Sequence, residues 1–239
     1  MLYDKTINDI FKGDSMSLSK HLKSIKMFET LTDQELESIE QICKTRRVVR
    51  QTHLFYEQET LTHFYFILSG DVKIYRVDQE GREQIINYFG THEMFPHHAL
   101  FRTGQYPANA ITVSDTEFIT IEKGEFEEML IAQPEVMIKM VRYLGDLIVD
   151  LQKRLQQKVL SSTTQQILHL LRRLCKSHGS AIGHDRTLIR LKLTKQDIAN
   201  MLGLTRETVS RNVSHFKAEG IVEEDQDGYL IINQSKIKW

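Results

Sequence analysis

The chain has 239 residues, 41% of them apolar and 26% charged, which suits one or two globular domains with true cores. No run approaches 18 apolar residues, so no membrane span is expected. The mixed, acidic opening "MLYDKTINDIFKGDSM" is not a secretory signal, and a cytoplasmic location is expected. The net charge of −1 hides an asymmetry: residues 161–239 carry 12 Lys/Arg against 8 Asp/Glu, and residues 1–160 carry 19 against 24. That balance suits contact with nucleic acid on the C-terminal side.

Residues 17–45 read as helical. Thr32 is placed as an N-cap before "DQELESIEQI", and Leu36, Ile39 and Ile42 form the apolar side. From about 46 to 122 the texture changes to short β-branched and aromatic runs, among them "HFYFILSG", "VKIYRVDQEG" and "EFITIE". Spaced about ten residues apart, such runs predict an antiparallel sandwich or barrel. "DQEG" at 78–81 is expected to be the tip of a hairpin joining Val72–Val77 to Gln84–Tyr88.

A long helix comes next, with Pro134 near its start, where a missing N–H is tolerated. Val141, Leu144, Ile148, Leu151 and Leu155 step by 3, 4, 3 and 4, the spacing of a coiled-coil seam. Two readings of this stripe are open: a seam between two copies of the chain, or a helix lying against its own barrel. Arg142, Asp150, Lys153 and Arg154 leave one narrow apolar stripe rather than a broad face, which favours the seam. "SSTT" at 161–164 interrupts the pattern as a hinge and N-cap. A helix then buries Ile167, Leu170, Leu171 and Leu174 and ends at Gly179. "SAIGHDR" reads as a loop and "TLIRLKL" as a short strand.

The stretch "LTKQDIANMLGLTRETVSRNVSHFKAEGIV" at 193–222 carries the most information. Thr194 caps a short helix, with Asp197 reaching back, and Ile198, Met201 and Leu202 point inward. Gly203 supplies a tight turn that needs φ > 0. Thr205 caps a second helix, which Gly220 ends. Val209, Val213 and Phe216 form the inner side of that helix. Arg206, Glu207, Ser210, Arg211 and Ser214 lie on the other. Two short helices joined by a glycine turn are a helix-turn-helix. Its outer side suits a major groove, because an arginine fork can bond guanine O6 and N7 together and a glutamate can accept from cytosine N4. "EEDQDGYLIIN" at 223–233 adds a hairpin wing with an Asp-Gly turn.

"TRETVSR" resembles the recognition helix of CRP/FNR-type transcription regulators, and "FILSGDVKIYRVDQEGREQIINYF", with Gly70 and Gly81 at its turns, resembles their β-roll. The resemblance spans nearly the whole chain. It implies an α+β fold: an N-terminal antiparallel β-roll of the cyclic-nucleotide-binding type (1–125), a long dimerisation helix (126–160) and a C-terminal winged helix-turn-helix (161–239). It implies a homodimer that binds double-stranded DNA, with RNA polymerase as a further partner. By position, Arg206, Glu207 and Arg211 match the base-reading residues of the cyclic-AMP receptor type. Glu207, Ser210 and Arg211 match those of the oxygen-sensing type, which lacks an arginine at the position of Arg206. The implied target is a palindrome of TGTGA half-sites, with Thr194, Thr205 and Ser214 as further DNA contacts. A proline in the cassette together with the "RET" helix also resembles regulators of the Gram-positive arginine deiminase pathway.

The nucleotide cassette of that family departs from its pattern here. Within "HEMFPHHALF", Pro96 stands where a glycine offers its N–H, and His97 replaces the acid for the ribose. Further along, Pro107 replaces the arginine for the phosphate, and Ala108 the neighbouring serine. Leu151 and Gln152 replace the hydroxyl residues that would meet the adenine. No cofactor is therefore expected, and cyclic AMP is not expected to bind in the family's way. His92, His97 and His98, with Glu93 nearby, leave a metal, haem or other small-molecule sensor open as an alternative. An iron–sulfur cluster is not, since it needs about four thiolates and the chain has two cysteines, Cys43 and Cys175. A histidine-based metallohydrolase is the remaining alternative. No HExxH, GxSxG or paired-carboxylate motif supports one, and no catalytic residue is assigned.

Overall fold

A computed structural model describes residues 18–237, with the side chains of 157–160 left out of the description. The described residues fall into two compact units. One holds Tyr88–Leu151 with the residues up to Arg76. The other holds Val77–Asn87 with the residues from Gln152 onward.

The first unit begins with α1 (Leu18–Ser24), a 3₁₀ turn at Lys26–Phe28, and α2 (Asp33–Glu40). The helical span expected over 17–45, with its cap at Thr32, consists of two helices and a turn. Ser17 lies outside the described residues, and a strand already begins at Cys43. The break serves packing: Met27 and Phe28 in the turn are fully buried, and a straight helix would send them to different sides. At α2 the expected cap is present. Thr32 Oγ1 accepts from the Glu35 N–H, and Glu35 Oε2 accepts from the Thr32 N–H at 2.7 Å. Glu35 also pairs with Lys139 at 2.7 Å, and that ammonium is the largest influence holding its carboxyl below the usual range.

Eight strands come next along the chain, with Val77 of β4 and Glu83–Asn87 of β5 counted in the second unit: β1 (Cys43–Val48), β2 (His53–Phe55), β3 (His63–Ser69), β4 (Val72–Val77), β5 (Glu83–Phe89), β6 (Met94–Phe95), β7 (Asn109–Thr112) and β8 (Thr116–Glu122). They form two four-stranded sheets, ordered β1-β8-β3-β6 and β2-β7-β4-β5, and the expected hairpin at 78–81 joins β4 to β5. Gly70 turns β3 into β4 at φ +90°. A Cβ there would lie 2.5 Å from the Asp115 carbonyl oxygen, so no other residue fits. One side of the first sheet packs Phe64 and Phe66 against Phe28 and Phe126. The other side meets the second sheet. There Phe55 packs on Tyr65, Phe95 and Tyr106, with the Phe55 and Tyr106 rings stacked at 3.7 Å. The unit closes with α3 (Lys123–Ala132) and the start of α4 (Pro134–Leu160). The helical span expected at 126–160 therefore contains parts of two helices, divided at Gln133 by the proline.

In the second unit, α5 (Thr163–His178) starts on a Ser162 cap completed by Gln165. It buries Ile167, Leu170, Leu171 and Leu174. The segment expected to be a loop is β9 (Gly179–Gly183). It pairs antiparallel with β10 (Arg186–Ile189), which ends earlier than the strand expected over 187–193. Then come α6 (Lys195–Leu202), α7 (Arg206–Ala218), β11 (Val222–Glu224) and β12 (Leu230–Asn233), giving a sheet of order β11-β12-β10-β9.

His178 ends α5 with 1% of its surface exposed, its Nδ1 2.6 Å from Ser177 Oγ. Burial first, then the Arg190 and Arg173 cations, pulls its pKa down to about 4. The unfolded chain, with an ordinary imidazole near 6.5, then binds a proton that the folded chain refuses between these two values. Stability from this group is present above pH 6.5 and is lost as pH falls toward 4, with a slope of up to about 1.4 kcal/mol per pH unit. Urea unfolding of wild type and His178→Gln at pH 7 and pH 5 checks this. The wild type is expected to lose more stability than the variant over that interval.

Candidate nucleic-acid interface

Both helices of the helix-turn-helix start on threonine caps. Thr194 Oγ1 accepts from the Asp197 N–H at 3.1 Å, and Asp197 Oδ2 accepts from the Thr194 N–H at 2.8 Å. Thr205 Oγ1 accepts from the Thr208 N–H at 3.2 Å. Gly203 sits between the helices at φ 69° and donates its N–H to Ala199 O. The left-handed conformation is what lets the chain reverse there.

Val209, Val213 and Phe216 are buried on one side of α7, at 0%, 3% and 1% exposure. Ile198 is buried on α6, while Met201 and Leu202 are only partly covered. Opposite, Glu207, Arg211 and Ser214 are exposed and Ser210 is half-buried, and Arg206 is exposed at the start of the helix, three residues before Val209. Glu207, Arg211 and Ser214, four and three residues apart, thus share the outward side of one helix, with Arg206 exposed at its first position. Glu207 lies in its first turn, where the exposed N–H groups favour a negative charge. The exposed caps Thr194 and Thr205 lie at the starts of α6 and α7.

The hairpin β11–β12 follows, turned at Gly228 with Asp225 Oδ1 accepting from the Asp227 and Tyr229 N–H groups. An ion pair between Lys217 and Glu224 ties this wing to α7. A shallow cleft between the wing and the start of α6 is lined by Lys192, Lys195, Glu224 and Gly228. Sequence reasoning misses its two lysines, because nothing local marks them.

The histidine segment is arranged otherwise. Pro96 precedes a 3₁₀ turn at His97–Ala99. The His97 ring lies between Phe89 and Tyr143, 5.4 and 6.2 Å away. His98 and His92 are exposed over much of their surface, and the part of each ring shielded from water, followed by nearby positive charges, holds both imidazoles below their usual range. Among the described residues no three His, Cys, Asp or Glu side chains form a metal-ligating group. Pro107 is exposed and Ala108 is buried. The one arginine between 96 and 113, Arg102, is exposed. The space between the two sheets is occupied by rings. Phe55, Tyr65, Phe95 and Tyr106 are each at most 8% exposed, and the Tyr106 hydroxyl accepts from the His63 N–H at 3.2 Å. Cys43 and Cys175 are free thiols buried in these cores. Burial raises the pKa of both, that of Cys175 to about 11, the opposite of what a reactive thiolate needs.

On α4, Val141, Ile148, Leu151 and Leu155 are 56–64% exposed, and Leu144 is partly covered. No helix among the described residues is long and apolar enough to cross a membrane.

Two family models match the chain: a cyclic nucleotide-binding domain over residues 45–133 and a Crp-like helix-turn-helix domain over 165–237. Among similar proteins, the anaerobic regulatory protein of Bacillus subtilis is 25% identical over 83% of this chain and 83% of its own length. The CRP-like cAMP-activated global transcriptional regulator of Mycobacterium tuberculosis is 25% identical over 77% of this chain and 82% of its own. The fold matches that of the regulator CLP of Xanthomonas campestris, with a TM-score of 0.67 and 20% identity over 84% of this chain and 99% of that one. It also matches FixK2 of Bradyrhizobium japonicum, with a TM-score of 0.68 and 18% identity over 80% and 92%. With a β-rich domain of the first model, a helix-turn-helix domain of the second and relatives aligned along most of its length, the chain belongs to the CRP/FNR family of DNA-binding transcription regulators.

Proposed function

We propose that this regulator acts as a homodimer and reads a palindrome of TGTGA half-sites, with one α7 in each major groove. The observation that carries this is α7, which exposes Arg206 at its start and presents Glu207, Arg211 and Ser214, with the half-buried Ser210, away from the buried Val209, Val213 and Phe216. Arginine and glutamate spaced this way match base edges. The exposed cap Thr194 and the lysines beside it, Lys192 and Lys195, suit phosphate oxygens, which position the helix without reading sequence. The apolar stripe on α4 supplies the seam, so that two reading helices sit one helical turn of DNA apart. We take residues 1–125, 126–160 and 161–239 as sensing-type, dimerising and DNA-binding parts, and RNA polymerase as the partner through which the bound dimer acts.

Titration of the protein against a TGTGA palindrome and a scrambled duplex at one fixed salt concentration tests the reading. The palindrome is expected to bind roughly 10³-fold or more tightly, with both affinities falling as salt rises. Equal affinities contradict it.

The regulator is proposed to work without cyclic AMP. A cyclic nucleotide needs an acid for its ribose and a cation with free N–H groups for its phosphate. At the matching positions stand Pro96, a ring-packed His97, Pro107 and the buried Ala108. The rings of Phe55, Tyr65, Phe95 and Tyr106 fill the space between the sheets. Calorimetry with cyclic AMP is expected to show no heat of binding, and the nucleotide should not tighten binding to the palindrome. A micromolar Kd, equivalent to about −8 kcal/mol, contradicts this.

A further inference from the structure

Asn212 lies on the reading helix between Arg211 and the buried Val213 and is itself half-buried. Its amide nitrogen donates to the Thr208 carbonyl one turn back, at 2.9 Å. Its amide oxygen accepts from Thr164 Oγ1 at 2.7 Å. Thr164 belongs to the first turn of α5, two residues past the Ser162 cap. The amide has one arrangement that satisfies both partners. Turned over, its oxygen would face the Thr208 carbonyl oxygen, and two acceptors repel.

Apart from the bond to Thr164 and the exposed Lys217–Glu224 ion pair to the wing, α7 packs on its neighbours through the apolar Val209, Val213 and Phe216. Apolar burial is non-directional and tolerates a small roll of one helix on another. A hydrogen bond does not, because it weakens steeply with misalignment. Roll matters for reading bases. The helix periphery lies about 5–6 Å from the axis, so a roll of about 20° moves a side-chain end there by about 2 Å. Recognition geometry is lost beyond displacements of about 0.5 Å. The readers Arg206, Glu207 and Arg211 all sit at that periphery, and Asn212 adjoins one of them.

We propose that Asn212 is a positioning residue for DNA reading, which through its bond to Thr164 sets the roll of α7 and thereby the sequence preference of the protein. The proposal rests on α7 being the base-reading helix. It separates two properties that a general structural role would move together. Loss of the bond should blunt discrimination while leaving phosphate contacts, and so non-specific affinity, in place.

The test uses the full chain as wild type, Thr164→Val, Thr164→Ser, Asn212→Leu and the Thr164→Val/Asn212→Leu double variant. Each is titrated by fluorescence anisotropy against the TGTGA palindrome and the scrambled duplex at one salt concentration. Thr164→Val is expected to lower the ratio of the two affinities by about two- to tenfold, the range of one net hydrogen bond, with scrambled-duplex binding unchanged. Thr164→Ser keeps the hydroxyl and should hold the wild-type ratio. The double variant should lose no more discrimination than Asn212→Leu alone, since both changes break the same bond. Should Asn212→Leu not fold, the valine and serine variants at Thr164 decide the matter. A Thr164→Val ratio equal to that of wild type, or an equal loss on both duplexes, overturns the proposal. A wild type that does not distinguish the duplexes overturns the assignment of α7 as the reader, and the proposal with it.

Discussion

Arg211→Ala is expected to lose about 1–3 kcal/mol at one base pair of each TGTGA half-site and to leave scrambled DNA bound as before. Arg211 lies four residues after Glu207, so these two project from one side of α7, with Arg206 exposed at its first position, while Val209, Val213 and Phe216 anchor the other side. An arginine that bonds guanine O6 and N7 together discriminates against every other base at that position. One that merely meets a phosphate supports all sequences alike. Removing the first kind flattens the preference at one base pair, and removing the second shifts every affinity together. Binding of the variant should still weaken with salt, because the phosphate contacts remain. Titration of wild type and variant against both duplexes separates these outcomes. Equal losses on the two would mean that α7 enters the groove in another register.

Ile148→Lys is expected to turn the dimer into a monomer at low micromolar concentration. Val141, Ile148 and Leu155 recur every seven residues on α4 and are 61%, 56% and 64% exposed in the single chain. Such a strip remains wet unless something apolar covers it, and its heptad spacing matches a second copy of itself. In a parallel pair Ile148 would face Ile148, so two ammonium groups would meet in an apolar seam, where ionised groups are strongly disfavoured. Affinity for the palindrome should fall with the dimer, because the second half-site then has to be bound independently. Light scattering reads the mass directly. A variant that remains a dimer places the seam elsewhere on the chain.

The helix-turn-helix was legible because its signals are local. Thr194 with Asp197, Gly203, and the spacing of Val209, Val213 and Phe216 each act within four residues of one another, and the observed caps, φ value and burial agree with them. The same locality explains the cap at Thr32 and the hairpin at 78–81. What escaped the sequence depends on partners distant in the chain. β9 is poor in strand-forming residues and exists because β10 offers it a ladder. The break after α1 is made by the burial of Met27 and Phe28 against sheet residues far along the chain, Phe66 among them. That rings fill the roll was not readable either. Phe55, Tyr65, Phe95 and Tyr106 come from four separate segments, and alternation tells which residues face inward but not what they meet. The pair Thr164 and Asn212, 48 residues apart, carries no local mark.

Selection of bound duplexes from random DNA by the wild-type protein, run with and without cyclic AMP, tests the account most directly. It predicts enrichment of TGTGA palindromes with half-sites about one helical turn apart, to the same extent in both pools. Recovery of no common sequence would contradict the assignment of α7 as a base reader. Enrichment that appears only with the nucleotide would contradict the reading of the ring-filled roll.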